Sequence, residues 1–203
     1  MSVLNGLEPE AVFRIFEEIA GIPRPSYKEK AISDYLVDFA EDHGLEHHRD
    51  ELNNVIIIKP ATAGYEEEPP IILQGHMDMV CEQEADCTKD MEKEGLDLIL
   101  EGDVLSARGT TLGGDDGVAI AIALAILSDD GLSHPRLEFV CTVSEEVGMD
   151  GAHGLDTSIL QGRRMINIDS ESEGEILAGC AGGGTVHASL SLSRSKHDGS
   201  GDT

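Results

Sequence analysis

Apolar side chains recur at helical spacing through "PEAVFRIFEEIA", residues 9–20, and predict a first helix. After "GIPRPS", Ser26 and Glu29 stand in S-x-x-E spacing, so a capping box is expected to open a second helix along "YKEKAISDYLVDFAEDHG", with Gly44 as its stop. The period then changes. The runs "NNVIIIKP" (53–60) and "PPIILQGH" (69–76) read as strands, and "DVLSARG" (103–109) does so more weakly. The segment "GVAIAIALAIL" (117–127) is apolar on every face, and its length and Ala content favour a buried helix over a strand. Two more strands, "RLEFVCTVSEE" (136–146) and "RMINIDSE" (164–171), each end in carboxylates. This alternation predicts an α/β layered domain with a mixed, mainly parallel central sheet flanked by helices. Beyond a Gly-rich hinge, "TVHASLSLS" (185–193) alternates as a strand would and reads as the opening of a second unit, giving domains 1–184 and 185–203. No internal repeat or low-complexity linker interrupts the main body.

Composition narrows the partners. Hydrophobic residues make up 40% of the 203 positions but aromatic ones only 3%, so the core must rest on Ile, Leu, Val and Ala. Forty acidic against fourteen basic residues give a formal charge of −26, which disfavours nucleic-acid phosphate and anionic lipid as partners. The excess reads as a solvated, soluble surface; adaptation to high salt is the sharper alternative. The N-terminus lacks the basic start and apolar run of a secretory signal, and no stretch reaches membrane-spanning length without charges. The four cysteines, Cys81, Cys87, Cys141 and Cys180, have neither C-x-x-C spacing nor the density of a disulfide scaffold, and Cys141 and Cys180 read as small core residues. A reduced, cytoplasmic protein is the expectation.

Candidate chemistry sits at the ends of the strands. Ligand sites in open α/β sheets lie outside the carboxyl ends of the strands. There the sequence places His76 and Asp78, Glu145 and Glu146, and Asp169, with Asp115 and Asp116 in the Gly-rich turn "TTLGGDDG". Any one of these pairs alone is an ordinary polar strand end. Gathered at one edge, the carboxylates would repel each other toward protonation unless a cation lay between them. One His with several carboxylates suits zinc or a similar divalent ion, and the number of carboxylates suits two ions sharing a ligand. On a two-residue period His76 and Asp78 point the same way, so Asp78 can orient the imidazole.

The segments "LQGHMDMV", "ARGTTLGGDDGVAIAIALAIL", "TVSEEVGMDGAHGL" and "INIDSESEGEILAGCAGG" resemble those of the aminoacyl-histidine dipeptidases (peptidase D). These belong to the di-zinc exopeptidases, together with carnosinases, aminoacylases and bacterial carboxypeptidase G. The resemblance runs from about residue 5 to about residue 190. It implies a zinc-exopeptidase-like fold and a metal-dependent dipeptidase acting on short peptides, typically Xaa-His dipeptides. It also implies roles. His76 and Asp169 hold one Zn2+, Asp115 bridges two, Glu146 holds the second, Asp78 supports the imidazole, and Glu145 is the general base for a water shared by the ions. Co2+ or Mn2+ are possible substitutes. Asp116 matches a position where relatives carry Asn, so its charge is not expected to matter. The family's second zinc takes a further His far downstream. His153, His187 and His197 do not fill that role, and His47, His48 and His134 read as surface residues. The lid through which relatives form homodimers is absent apart from its opening strand, so the expectation is a truncated, weakly active chain. The alternatives are an N-acyl amino acid amidohydrolase of the same superfamily and a non-catalytic metal-binding remnant.

Overall fold

The computed structural model describes residues 2–170, 174–179, 182–184 and 186–193. The chain divides into two units, residues 1–170 and 171–203. All described helices and strands belong to the first unit. In chain order they are α1 (Glu10–Ala20), α2 (Lys30–Asp42), β1 (Glu46–Arg49), β2 (Val55–Lys59), β3 (Ile71–His76), β4 (Leu98–Glu101), β5 (Val104–Ala107), α3 (Gly114–Ser128), β6 (Leu137–Thr142), α4 (Asp150–Gly154), a 3-10 turn (Thr157–Ile159) and β7 (Arg164–Asn167).

Five strands form one sheet in the order β1-β2-β6-β3-β7, and β4 and β5 form a separate hairpin. In β2, side-chain parity divides an uninterrupted apolar run between two cores. Val55 and Ile57 enter the large cluster under α1, α2 and α3, whereas Ile56 and Ile58 join Ile72 and Val140 on the other face, beneath Leu155, Ile159 and Leu160. A strand covered on both faces needs no polar alternation, which is why these runs are continuous. The helix α3 is apolar all round for the same reason, because it lies between α1 and the sheet and buries Ile120, Leu124 and Leu127 completely or nearly so. Each such side chain contributes about 1.5–3 kcal/mol.

The sheet is mixed, as expected, but not mainly parallel. β6 pairs in parallel with β3, and β3 with β7, while β1–β2 and β2–β6 are antiparallel. The cause is the connection between β2 and β3. Both Lys59 and Ile71 lie opposite Leu137, so the helix-free residues 60–70 bring the chain back at the same edge of the sheet. A parallel return needs a crossover, usually helical.

Gly44 does stop the second helix. At φ +63° it takes the left-handed conformation, and the Gly44 and Leu45 N–H groups donate to the Glu41 and Ala40 carbonyls (3.0 and 2.8 Å). The expected capping box does not form. α2 begins at Lys30, Ser26 and Glu29 direct their side chains elsewhere, and Tyr27 is left-handed (φ +67°). The weak strand at 103–109 exists as β5, paired with the unforeseen β4, and the polar edge strand β1 was also unforeseen. Residues 186–193, read as part of a strand, carry no regular structure. Thr185, Cys180 and His197 lie outside the described residues. Cys141 is fully buried, as expected.

Candidate metal centre

Because β3, β6 and β7 run in parallel, their C-terminal ends open at one edge of the sheet. β3 delivers His76 there, the turn after β6 delivers Glu145 and Glu146, and the segment after β7 delivers Asp169. The loop after β5 brings Asp115 to the same place. Asp115 and Asp116 precede the regular part of α3 and have non-helical dihedrals, joined by a cis peptide.

His76 is the common member of two clusters. Donor atoms of His76, Asp115 and Glu146 lie within 4.8 Å of one another, and so do those of His76, Glu145 and Asp169. The sequence-predicted residues therefore do converge, but Glu145 stands among the potential ligands of the second cluster rather than apart from them. The imidazole is almost fully buried. Its Nδ1 is 3.0 Å from the Asp78 carbonyl and 3.3 Å from Asp78 Oδ1, while Nε2 is 2.9 Å from Asp115 Oδ1 and 4.0 Å from Glu145 Oε2. With Nδ1–H directed at acceptors, a neutral ring would aim its Nε2 lone pair at a carboxylate. Either a proton or a cation must stand between them.

The electrostatics agree. Burial works against the charged form of His76, but Asp78, Asp116 and Asp115 outweigh it and push the imidazole up to about 9. Burial raises Glu145 and Glu146, with Asp169 and Glu146 adding to the first, Asp115 adding to the second, and His76 opposing both. Asp116 is pushed up to about 7 by burial, to which Asp169 and Asp115 add against the pull of His76. Its Oδ2 accepts the His76 backbone N–H (3.1 Å), a bond that an Asn oxygen also makes. Asp78 goes the other way: burial raises it, but bonds from His76, Ser26 and the Glu145 N–H hold it below its ordinary value. A crowded set of oxygen donors and one imidazole, with several carboxylates held toward protonation, fits a hard or borderline divalent cation.

Sequence reasoning missed three residues of the α1–α2 connection. Arg24 is 2% exposed and donates to carbonyls in two of the site's turns, Ser26 Oγ donates to Asp78 Oδ2 (2.7 Å), and Glu29 accepts from Ser144 (2.8 and 2.9 Å). The partners lie 52 to 115 positions away, and no local pattern marks them, apart from the S-x-x-E spacing that misread them as a cap. Among the described residues of the first unit, no other histidine joins either ligand cluster. His153 and His187 are exposed, His47 is half-buried, and His48 pairs with Glu46 (3.0 Å). His134, expected at the surface, is 6% exposed, because its backbone exchanges hydrogen bonds with Thr62 beneath the 60–70 loop.

A mixed sheet flanked by helices thus sets an imidazole and several carboxylates at the C-terminal ends of its parallel strands, an α/β domain with a candidate divalent-metal site. Residues 72–184 match Peptidase family M20/M25/M40, and the chain belongs to that family. It is 45% identical over 194 residues to the cytosol non-specific dipeptidase of Escherichia coli (strain K12), a match covering 96% of this chain and 40% of that protein. The crystal structure of aminoacylhistidine dipeptidase from Vibrio alginolyticus superposes with a TM-score of 0.82 at 38% identity, over 84% of this chain and 35% of that one. A tripeptidase from Staphylococcus aureus shares the fold (TM-score 0.68, 24% identity, 82% of this chain and 44% of that one). The chain thus spans well under half the length of these relatives. Among the described residues no helix is long and apolar enough to cross a membrane.

Proposed function

We propose that this chain is the metal-bearing part of a cytoplasmic dipeptidase that hydrolyses short peptides, Xaa-His dipeptides among them. The observation that carries this reading is the pair of ligand clusters sharing His76. The names of the E. coli and Vibrio relatives support the substrate class and the compartment. In this reading His76, Asp115, Glu146 and Asp169 would hold zinc, with Co2+ or Mn2+ as substitutes. Bound zinc supplies Lewis-acid polarisation of the scissile carbonyl and a more acidic water. The chain's own groups do the rest. Asp78 holds Nδ1–H of His76, so that Nε2 faces the ligand position. Glu145 takes a proton from the attacking water and returns it to the leaving amine. Residues 1–184 form the catalytic portion, and 185–203 lead toward the lid and homodimer contact of the whole protein.

Release of His from an Xaa-His dipeptide with zinc added, measured for the 203-residue chain and for a version extended by the relatives' remaining length, tests the function. Expected is chelator-sensitive hydrolysis that Asp115→Ala abolishes, slower in the 203-residue chain than in the extended one. Absence of hydrolysis in both chains at saturating zinc contradicts the proposal and leaves a metal-binding domain without turnover.

A further inference from the structure

We propose that the α1–α2 connection is the strut of the metal centre, with Arg24, Ser26 and Glu29 as positioning residues that hold three ligand-bearing turns at their mutual distances. The inference deepens the metallopeptidase reading above and rests on it for its consequence, metal affinity.

The three turns follow β3 (76–79), precede α3 (113–116) and follow β6 (143–146). Arg24 joins the first two. Its Nη1 donates to the Met77 and Asp78 carbonyls (3.2 and 3.1 Å) and its Nη2 to the Gly113 carbonyl (2.5 Å). A buried guanidinium is costly to keep, and this one bonds only carbonyls. Its location next to Asp78 and Asp116 offsets part of that cost, since both carboxylates favour its charge. The sequence also leaves room for it. A Cβ at Gly113 or Gly117 would run into Arg24 Nη2, so these two glycines of "LGGDDG" are the imprint of the guanidinium.

Ser26 and Glu29 join the third turn to the first. Ser26 fixes Asp78 through Oδ2, and the same carboxylate accepts the Glu145 N–H on Oδ1 (3.0 Å) and the Glu146 N–H on Oδ2 (3.3 Å). Glu29 Oε1 gathers the Ser144 N–H and hydroxyl together with the N–H of Tyr27 in its own loop (3.0 Å). Ser144 and Tyr27 are both left-handed, at φ +53° and +67°. Such conformations cost on the order of 1–3 kcal/mol and persist only where the surroundings over-determine them. Here the Glu29 carboxylate bonds the N–H of both, so one buried group holds two unfavourable turns. A ligand set split over distant segments can bind a cation tightly only if its spacing exists before the cation arrives, and removing such supports typically weakens metal binding 10–100-fold.

The experiment uses the metal-stripped chain and two readouts: zinc affinity by competition with a chromophoric chelator, and amide hydrogen exchange across 111–117 and 142–147 without metal. The variants are Arg24→Lys, Ser26→Ala and Glu29→Gln. Lys59→Met is the control, since Lys59 bonds the Leu127 and Asp129 carbonyls at the other end of α3, about 20 Å along the helix. Expected is a loss of roughly 10–100-fold in zinc affinity for the three strut variants. Exchange should quicken in 111–117 for Arg24→Lys and in 142–147 for Glu29→Gln. Lys59→Met should lower the unfolding temperature and leave zinc affinity unchanged. Strut variants that behave like the control in both readouts overturn the proposal. A wild-type chain that binds no zinc overturns the metal reading instead, and the exchange comparison still decides whether the strut orders the turns.

Discussion

Replacing Glu138 by Gln tests how β7, and Asp169 just beyond it, is held in place. The four residues of β7 are all exposed, so apolar burial anchors the strand little, and its hold comes from pairing with β3 and from the segment before it. That segment is pinned by Glu138, which is fully buried. Its carboxylate accepts the Gln161 N–H (3.0 and 3.1 Å), the Gly162 N–H (3.0 Å) and Arg136 Nε–H (2.8 Å). Gln keeps one acceptor and turns an NH2 toward a backbone donor. The loss is one charge-assisted bond, about 1.5–3 kcal/mol, plus about 1–3 kcal/mol for a buried N–H left unpaired. Arg136 is 23% exposed and recovers some hydration, which brings the expected destabilisation to roughly 2–4 kcal/mol. The pH dependence has a definite sign. Burial raises Glu138, but Arg136 and the two N–H groups outweigh it and lower its pKa below the ordinary 4.5. A lowered carboxylate stabilises the fold above its unfolded value and loses that contribution as pH falls through the folded one. Urea unfolding of the metal-free proteins should therefore show a constant gap between wild type and variant above 4.5 that narrows in acid. A gap below about 1 kcal/mol at neutral pH, or one that widens in acid, refutes the reasoning.

Glu145→Gln in the extended chain is expected to lower kcat by roughly 10²–10⁴-fold with zinc content unchanged, whereas loss of zinc along with activity makes Glu145 a ligand. Gly117→Ala places a methyl against Arg24 Nη2 and Phe16, and thermal unfolding should show a loss of about 1–3 kcal/mol from overpacking. Tyr27→Gly relieves a left-handed tyrosine and should change stability by less than about 1 kcal/mol while leaving zinc affinity intact. A tenfold drop in that affinity would mean that the tyrosine ring itself supports the site.

What the sequence revealed and what it hid follow from the range of the interactions. The runs at 55–59, 71–76 and 137–142 are strands with both faces covered, so their burial is written in consecutive residues. His76, Glu145 and Glu146 stood out because they end or closely follow two of those runs, whereas Asp169 follows the exposed β7 and Asp115 lies in a Gly-rich turn. β1, "EHHR", pairs on one side only and is mostly exposed, so no hydrophobic pattern announces it. The antiparallel β2–β6 pair was legible in principle, since residues 60–70 hold too little for a helical crossover. The S-x-x-E spacing of Ser26 and Glu29 is a true local signal overridden by tertiary demand, because Asp78 and Ser144 take the groups that would have capped α2. Arg24 was unreadable, since its partners are backbone carbonyls and the sequence carries no trace of a carbonyl's location.

Zinc titration of the metal-stripped chain by calorimetry, beside His76→Ala, tests most directly whether the carboxylates gathered around His76 form a metal centre. A saturable binding event in the wild type that disappears in His76→Ala is expected, because both ligand clusters share that imidazole. No binding in the wild type, or equal binding in the two proteins, contradicts it.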